Sequence, residues 1–247
     1  MQCYPHNTEK KYLFQCYEYL QGETLAQWLH RQEKPLNLDE ILPILQQTAL
    51  ALNAMHRLEM LHQDIRPKNI MVINAENAMK IKLIDYGSTA VRGLVEINPK
   101  NANRALGTLA FMAPEYFIDH SPSVHSDQFS LAVMAYYLFT KQLPYGTDLA
   151  RCNSLKQMKK VQYHSIRKYR PDLPIWLDKI LGQALSIEPI HRFEALSELI
   201  HNLMHPSKEL LNSKPPAIIE RDPLRFWQMS CAVLGLLFLL SIAWPFI

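Results

Sequence analysis

The last 22 residues, 226–247, contain no Asp, Glu, Lys or Arg. A helix needs about 20 apolar residues to cross a bilayer core. Trp227 and Trp244 stand 17 residues apart, a helical rise of about 25 Å, as expected for aromatic residues at the two membrane interfaces. A buried core helix is the alternative, although long core helices usually keep a polar face. The stretch therefore predicts a transmembrane helix over 226–247.

The charges next to this stretch predict its orientation. Arg221 and Arg225 precede it, three residues follow Trp244, and the N-terminus has no apolar leader. By the positive-inside rule, the N-terminal part lies on the cytoplasmic side of the inner membrane. Four prolines between 206 and 223 predict a linker over 206–225. We therefore expect a single-pass membrane protein whose main domain faces the cytoplasm.

Composition excludes several classes of protein. Of the 247 residues, 48% are hydrophobic and 20% charged, which excludes a disordered chain. None of the seven glycines forms a G-x-G pair, so the chain contains neither a dinucleotide fingerprint nor a Walker A loop. A net charge of +3 does not indicate nucleic acid as a partner. The four cysteines are widely spaced and indicate free thiols in a reducing compartment.

Apolar spacing before the linker predicts a mainly helical domain with one β-hairpin. Steps of three and four residues predict helices over 23–32, 38–60, 126–139, 174–185 and 193–204. Two short apolar runs, 70–74 and 79–84, predict the hairpin. Asn37 or Asp39 can cap the second helix, and Pro43 is expected near its first turn.

Polar residues concentrate around the hairpin. Asp64 lies five residues before Asn69 in the segment HQDIRPKN, and Asp85 begins the segment DYG after the second strand. Asn69 and Asp85 supply the oxygens that Mg²⁺ prefers. Asp64 is placed to accept a hydroxyl proton, and Arg66 to neutralise a phosphoryl group. Taken singly, each is an ordinary turn or capping residue, but their order and spacing together predict phosphoryl transfer.

These segments resemble the C-terminal lobe of eukaryotic-type serine/threonine protein kinases over residues 12 to about 205. HQDIRPKN resembles the catalytic loop, DYG the metal-binding motif, and APE at 113–115 the end of the activation segment. With the basic linker and the predicted span, the chain is most similar to bacterial proteins that join a type 2C protein phosphatase to such a kinase. The resemblance implies ATP and Mg²⁺ as cofactors, a protein substrate, and a phosphatase domain fused upstream.

The resemblance also implies a role for each candidate residue. Asp64 corresponds to the catalytic base, and Asn69 and Asp85 correspond to the Mg²⁺ ligands. Arg66 stands where these kinases usually place a phosphate-contacting Lys. Thr108 corresponds to the threonine that tethers the base.

The nucleotide site is implied by the segment KYLFQCYEYLQGETL, which resembles the last strand of the N-lobe and the hinge. This places Tyr17 as the gatekeeper, Glu18, Tyr19 and Leu20 at the adenine edge, and Met71 under the adenine ring.

The resemblance also implies that four further residues stabilise or regulate the site. Glu115 and Arg192 correspond to a buried ion pair, and Asp127 to the helix acid that braces the catalytic loop. Gln63 replaces the Arg that commonly grips a phosphorylated activation loop.

The predicted domains are the end of the N-lobe and the hinge at 1–22, a kinase C-lobe at 23–205, the linker at 206–225 and the span at 226–247. About eleven residues precede the hinge strand, so the glycine-rich loop and the N-lobe Lys are expected to be absent. The chain is then a fragment, or it begins at an internal Met. The fold class is mainly α, with an α+β C-lobe, a short hairpin and one transmembrane helix.

The leading prediction is a membrane-anchored serine/threonine kinase. The alternative is a catalytically silent, membrane-tethered interaction module. A small-molecule phosphotransferase is a third possibility, but the segment GTLAFMAPE favours protein substrates because it resembles a substrate-docking segment.

Overall fold

The structure is a computed structural model that describes residues 16–75, 78–91, 109–118, 121–212 and 223–243. The chain divides into two compact units, Met1–Ser207 and Lys208–Ile247. The candidate site residues within the described ranges all belong to the first unit.

Helices dominate the described residues of both units. In chain order, helices α1–α8 are Leu25–His30, Leu38–Arg57, Val124–Thr140, Leu155–Met158, Ile175–Ala184, Leu196–Met204, Lys208–Leu211 and Pro223–Ala243. Strands β1–β5 are Glu23–Thr24, Met60–Leu61, Ile70–Ala75, Ala78–Leu83 and Ala90–Val91. An antiparallel sheet has the order β1-β3-β4, and β2 pairs with β5. The predicted helix-rich domain with a hairpin is confirmed.

Side-chain caps set the starts of the first two helices. Asn37 caps α2, because its Oδ1 accepts the Glu40 amide at 3.1 Å while the Glu40 carboxylate accepts the Asn37 amide at 2.8 Å. Thr24 and Gln27 form the same box at α1, so α1 begins two residues later than its spacing predicts. Pro43 lies in the second turn of α2 rather than the first, and removes one intrahelical hydrogen bond there.

Gln47 fixes the hairpin against α2. Its Nε2 donates to the carbonyl of Met79 at 3.1 Å, and its Oε1 accepts the amide of Ile81 at 3.0 Å. These are outward-facing groups of β4, an edge strand that would otherwise leave them without a protein partner. Ile70 and Val72 of β3 are buried. The hairpin that leads to Asp85 therefore has a fixed position on the helix.

Helix α3 is the core of the first unit. Of its 17 residues, 13 are buried, and α2, α5 and α6 pack against it. A helix that is enclosed on all sides belongs to the interior of a domain. Near its start α3 buries Asp127, a carboxylate that needs donors to offset its desolvation.

A buried ion pair joins the APE segment to the loop before α6. Arg192 donates from Nη1 and Nη2 to the two carboxylate oxygens of Glu115, each at 2.9 Å, and the Ser126 hydroxyl donates to Oε1 at 2.7 Å. Burial alone would raise the pKa of Glu115, but the bonds from Arg192 and Ser126 hold it below its ordinary value. The structure thus contains the ion pair that the resemblance implies.

The second unit contains two helices, one inside the predicted linker and one that overlaps the predicted span. Helix α7 lies inside the predicted linker 206–225, where Lys208–Leu211 consists of good helix formers. Helix α8 begins at Pro223, three residues before the predicted start of the span, because proline suits the first turn of a helix. Among the residues that the structure describes, no helix is long and apolar enough to cross a membrane. The transmembrane helix predicted over 226–247 is therefore not confirmed.

Substituting Arg192→Met should lower the free energy of unfolding by about 3–5 kcal/mol, because it leaves the Glu115 charge buried without its partner. Denaturant titration of the chain, followed by tryptophan fluorescence, measures the loss. Arg151→Met is the matched control, since it removes an exposed pair with Asp148 at 3.6 Å and should cost less than about 1 kcal/mol. Equal losses in the two variants would contradict a structural role for the buried pair.

Candidate active site

A carboxylate of α3 shapes the loop that follows α2. Asp127 accepts the amide of His62 at Oδ2 and the amide of Gln63 at Oδ1, both at 2.9 Å. His56 Nε2 lies 2.9 Å from the same Oδ2. Gln63 has a φ of 64°, a left-handed backbone that is uncommon for residues with a Cβ. The two hydrogen bonds from these backbone amides to Asp127 stabilise this conformation of Gln63. Asp64 is the next residue in the chain.

Asp64 and Asn69 are bonded to each other across the loop. Asn69 Nδ2 donates to the Asp64 carbonyl at 2.8 Å and to Asp64 Oδ2 at 2.7 Å, and both residues are buried. The turn Pro67–Asn69 brings them together, because the Asn69 amide donates to the carbonyl of Arg66 at 2.9 Å. The Asn69 Nδ2 group is thus bonded to two oxygens of Asp64, and its Oδ1 is, as in any amide, a hydrogen-bond acceptor.

Arg66 places a positive charge beside Asp64. Its Nε lies 3.3 Å from Asp64 Oδ1, and its side chain is 21% exposed. The guanidinium is therefore close to the buried carboxylate, while its side chain as a whole is partly exposed. This is where a transferred phosphoryl group would need a neutralising charge.

Asp85 lies at the end of the hairpin, next to Asn69. The amide of Ile84 donates to the carbonyl of Asn69 at 2.9 Å, so the backbones of the two predicted metal ligands are held together. Asp85 itself is exposed, with a φ of 65°. Its Oδ1 accepts the amide of Gly87 at 3.3 Å. The structure thus joins Asp64 to Asn69 directly, and joins Asn69 through its backbone to Ile84, the residue before Asp85.

His62 is a buried imidazole between the loop and the DYG segment. Its ring centroid lies 5.7 Å from that of Tyr86. Burial lowers the pKa of His62, although the nearby carboxylates of Asp127 and Asp64 favour the charged form. The ring is therefore neutral at physiological pH and packs as an aromatic side chain.

A cavity of about 940 Å³ lies beside the predicted hinge and Asp85. Three of the four predicted hinge residues line it, namely Tyr17, Glu18 and Leu20. Of the residues that the structure describes, Tyr19 and Met71 do not line it: Tyr19 is 90% exposed, and Met71 lies on β3 opposite Thr24. The predicted adenine contacts of all five residues stay predictions.

The structure also shows contacts that the sequence pattern does not reveal. Lys82 Nζ lies 2.7 Å from Glu18 Oε2 at the wall of the cavity. Side chains alternate between the two faces of β4. Because Leu83 is buried on one face, the pattern indicates that its neighbour Lys82 lies on the other. No spacing rule identifies His56 as a neighbour of Asp127. The predicted site residue Thr108 lies outside the described residues.

A family model described as "Protein kinase domain" matches residues 1–206. The chain belongs to the protein kinase family.

The curated relatives of this kinase include bacterial serine/threonine kinases. Serine/threonine-protein kinase PrkC of Bacillus subtilis is 26% identical over 182 residues, which cover 74% of this chain and 27% of that protein. Serine/threonine-protein kinase pkn3 of Myxococcus xanthus is 31% identical over 185 residues, which cover 73% of this chain and 34% of that protein. The chain thus spans about a quarter to a third of these relatives.

Solved kinase structures share the fold. The kinase domain of Mycobacterium tuberculosis PknI has a TM-score of 0.58 at 25% identity, over 77% of this chain and 64% of that one. The twitchin kinase region of C. elegans has a TM-score of 0.59 at 23% identity, over 81% of this chain and 33% of that one. The twitchin likeness shows the fold alone.

The buried neutral His62 should make the kinase less stable at low pH. Below the ordinary histidine pKa of about 6.5, the unfolded chain protonates this residue while the folded chain does not. The free energy of unfolding should therefore fall from pH 7 to pH 5, by at most about 1.4 kcal/mol per pH unit for one proton. Denaturant titrations at pH 7, 6 and 5 measure this slope.

The variant His62→Phe should lose most of the slope, because the titrating group is gone. His191→Gln, at a side chain that is 66% exposed, is the matched control and should keep it. An unchanged slope in His62→Phe would show that His62 is not the group responsible.

Proposed function

We propose that this protein transfers the γ-phosphoryl group of Mg²⁺-bound ATP to Ser or Thr hydroxyls of a protein substrate. The observation that carries the proposal is the bonded pair of Asp64 and Asn69, with Asp85 joined to Asn69 through the Ile84 amide. These contacts support a catalytic site over a silent interaction module, because they bond the proposed base directly to a proposed metal ligand. Because the chain spans only part of its relatives, activity and substrate are proposed for the protein as its gene encodes it.

Asp64 acts as the base in this proposal. Its Oδ2 is held by Asn69 at 2.7 Å, and its Oδ1 faces Arg66 at 3.3 Å. A carboxylate fixed at both oxygens orients a substrate hydroxyl with little loss of freedom and accepts its proton as the phosphoryl group moves. Arg66 offsets the negative charge of that group.

Asn69 and Asp85 are the residues that would hold Mg²⁺. Asn69 offers its amide oxygen Oδ1, while its Nδ2 donates to Asp64, and Asp85 offers a carboxylate at the cavity wall. In the part of the chain that the structure describes, no cluster of three or more His, Cys, Asp or Glu side chains could hold a metal ion. A pair of oxygen ligands fits Mg²⁺ that is shared with nucleotide phosphates, since such ions take one or two carboxylates and keep several other ligands. Bound Mg²⁺-ATP supplies the phosphoryl group and shields its charge.

Asp64→Asn should reduce phosphoryl transfer by at least about a hundredfold while leaving the affinity for Mg²⁺-ATP nearly unchanged. The amide keeps the size of the carboxylate but cannot accept the proton. Transfer of labelled phosphate to a Ser-containing protein measures the first effect, and the thermal shift caused by Mg²⁺-ATP measures the second.

Asp85→Ala is the matched variant, because it removes the proposed metal ligand and keeps the base. It should weaken Mg²⁺-ATP binding by at least about tenfold, seen as a smaller thermal shift at the same ligand concentration. Wild-type turnover in Asp64→Asn would overturn the assignment of the base. An unaltered Mg²⁺ dependence in Asp85→Ala would overturn the assignment of the ligand.

We also propose that residues 226–247 anchor the kinase in the cytoplasmic membrane, with the kinase unit facing the cytoplasm. Support comes from the absence of charged residues over this stretch and from the two arginines that precede it, Arg221 and Arg225. An upstream phosphatase domain stays a prediction of the resemblance.

Replacing both Leu237 and Leu240 with Arg should release the protein from membranes. Each charge near the middle of a span costs about 2.5–3.5 kcal/mol of insertion free energy. Extraction of cell membranes with alkaline carbonate separates integral from peripheral protein. Leu211→Arg, at an exposed position on α7, is the control and should remain in the membrane pellet. Full extraction of the unsubstituted protein would rule out the anchor.

A further inference from the structure

Positive charge is concentrated in residues 151–170. This segment contains seven Lys and Arg residues and no Asp or Glu. The whole chain has 26 Lys and Arg against 23 Asp and Glu, so the other residues together carry a net charge of −4. The positive charge is therefore local to one segment, and a local excess of one sign attracts a surface of the opposite sign.

Three lysines of this segment lie on one face of a helical turn. Lys156, Lys159 and Lys160 are spaced i, i+3 and i+4. The turn of α4 continues through Lys160, because the Lys160 amide donates to the carbonyl of Gln157 at 3.0 Å. All three lysines are exposed, whereas Met158, on the opposite side of the turn, is buried. These three residues, the lysine patch, therefore face outward.

An exposed isoleucine lies beside the lysine patch. Lys159 Nζ is 2.8 Å from Oε1 of Glu188, the residue that precedes the turn Pro189–His191. Ile190, at the centre of this turn, is 84% exposed. The surface thus combines an apolar side chain with several basic ones.

Two lysines of the patch have no carboxylate partner. Among the residues that the structure describes, neither Lys156 nor Lys160 forms an ion pair. The carboxylates of Asp148 and Asp172, which flank the segment, pair with arginines. Only the Lys159 charge is offset, by Glu188. The two remaining charges are available to an anionic partner.

We infer that the lysine patch binds the anionic headgroups of a phospholipid bilayer, with Ile190 inserted among them. This inference rests on the proposed membrane anchor and names the face of the kinase unit that meets the membrane. A bilayer accounts for both features of the surface, since its headgroups attract lysines and the acyl region beneath them accepts an apolar side chain.

The length of the chain before the proposed anchor is compatible with this contact. The first compact unit ends at Ser207, and 18 residues, 208–225, precede the charge-free stretch. Even fully extended, these residues span only about 60 Å. An anchored kinase unit therefore stays near the bilayer, where headgroup charges act over about 10 Å at 0.1 M salt.

Cosedimentation with lipid vesicles tests the inference in the full chain. Leu237→Arg and Leu240→Arg are present throughout, so that the chain does not insert. One set of vesicles is phosphatidylcholine alone, and the other contains about 30% phosphatidylglycerol. Each lysine near an anionic surface strengthens binding about fivefold. Binding to the anionic vesicles should therefore be at least about 25-fold stronger at low salt, and this preference should shrink as salt increases.

Substituting Lys156→Gln and Lys160→Gln together should weaken binding to the anionic vesicles about 25-fold. Ile190→Ser should weaken it at least about threefold, because less apolar surface enters the bilayer. Lys34→Gln with Lys80→Gln is the matched control, since both are exposed lysines outside the patch and the net charge changes equally. This pair should keep the wild-type binding.

Equal losses in the two double variants, or no loss in Lys156→Gln with Lys160→Gln, would overturn the inference. Either result would leave the proposed anchor intact, because carbonate extraction tests the anchor without these substitutions. If extraction released the unsubstituted protein, the anchor would fail, and the same vesicle comparison on the unsubstituted chain would still decide the inference.

Discussion

The hydrogen bonds from two loop amides to the buried carboxylate of Asp127 are the contacts on which the site depends. A charge enclosed in a core is tolerated only where donors surround it, and His62 and Gln63 supply them. Because α3 is enclosed by other helices, the carboxylate has a fixed place in the domain. These bonds fix the loop relative to the core. The hydrogen bond from the Ile84 amide to the Asn69 carbonyl in turn fixes the hairpin relative to the loop.

Much of the fold follows from local pattern, because the spacing of apolar residues reports which face of a segment is buried. The helices and the hairpin were predictable in this way, with ends displaced by caps such as Thr24. The short strands β1, β2 and β5 were not, since two residues have no periodicity and pair only after the chain has folded. The bond between Gln63 and Asp127 joins residues 64 positions apart, and only the family resemblance indicated it.

In the candidate site, too, residues close together in the chain were predictable from sequence, whereas contacts between distant segments were not. Asp64, Arg66 and Asn69 lie within one loop, so their spacing was enough to predict a shared site. Of the hinge residues, Tyr19 is exposed and lies outside the cavity, and their adenine contacts stay predictions. Ion pairs such as Lys82–Glu18 were missed for another reason. A long charged side chain on the surface pairs with an opposite charge that is close in space. Sequence spacing contains little information about which charges are close in this way.

The left-handed backbone at Gln63 and Asp85 restricts which residues can replace them. A φ near 65° strains any side chain branched at Cβ, so valine, isoleucine and threonine are disfavoured there whatever their chemistry. Glycine, asparagine and aspartate are the residues that tolerate this geometry best. Only aspartate among these brings a carboxylate, so at Asp85 the backbone shape and the proposed Mg²⁺ ligation favour the same residue. At Gln63 the hydrogen bond to Asp127 comes from the backbone amide, so this position needs the left-handed geometry but no carboxylate.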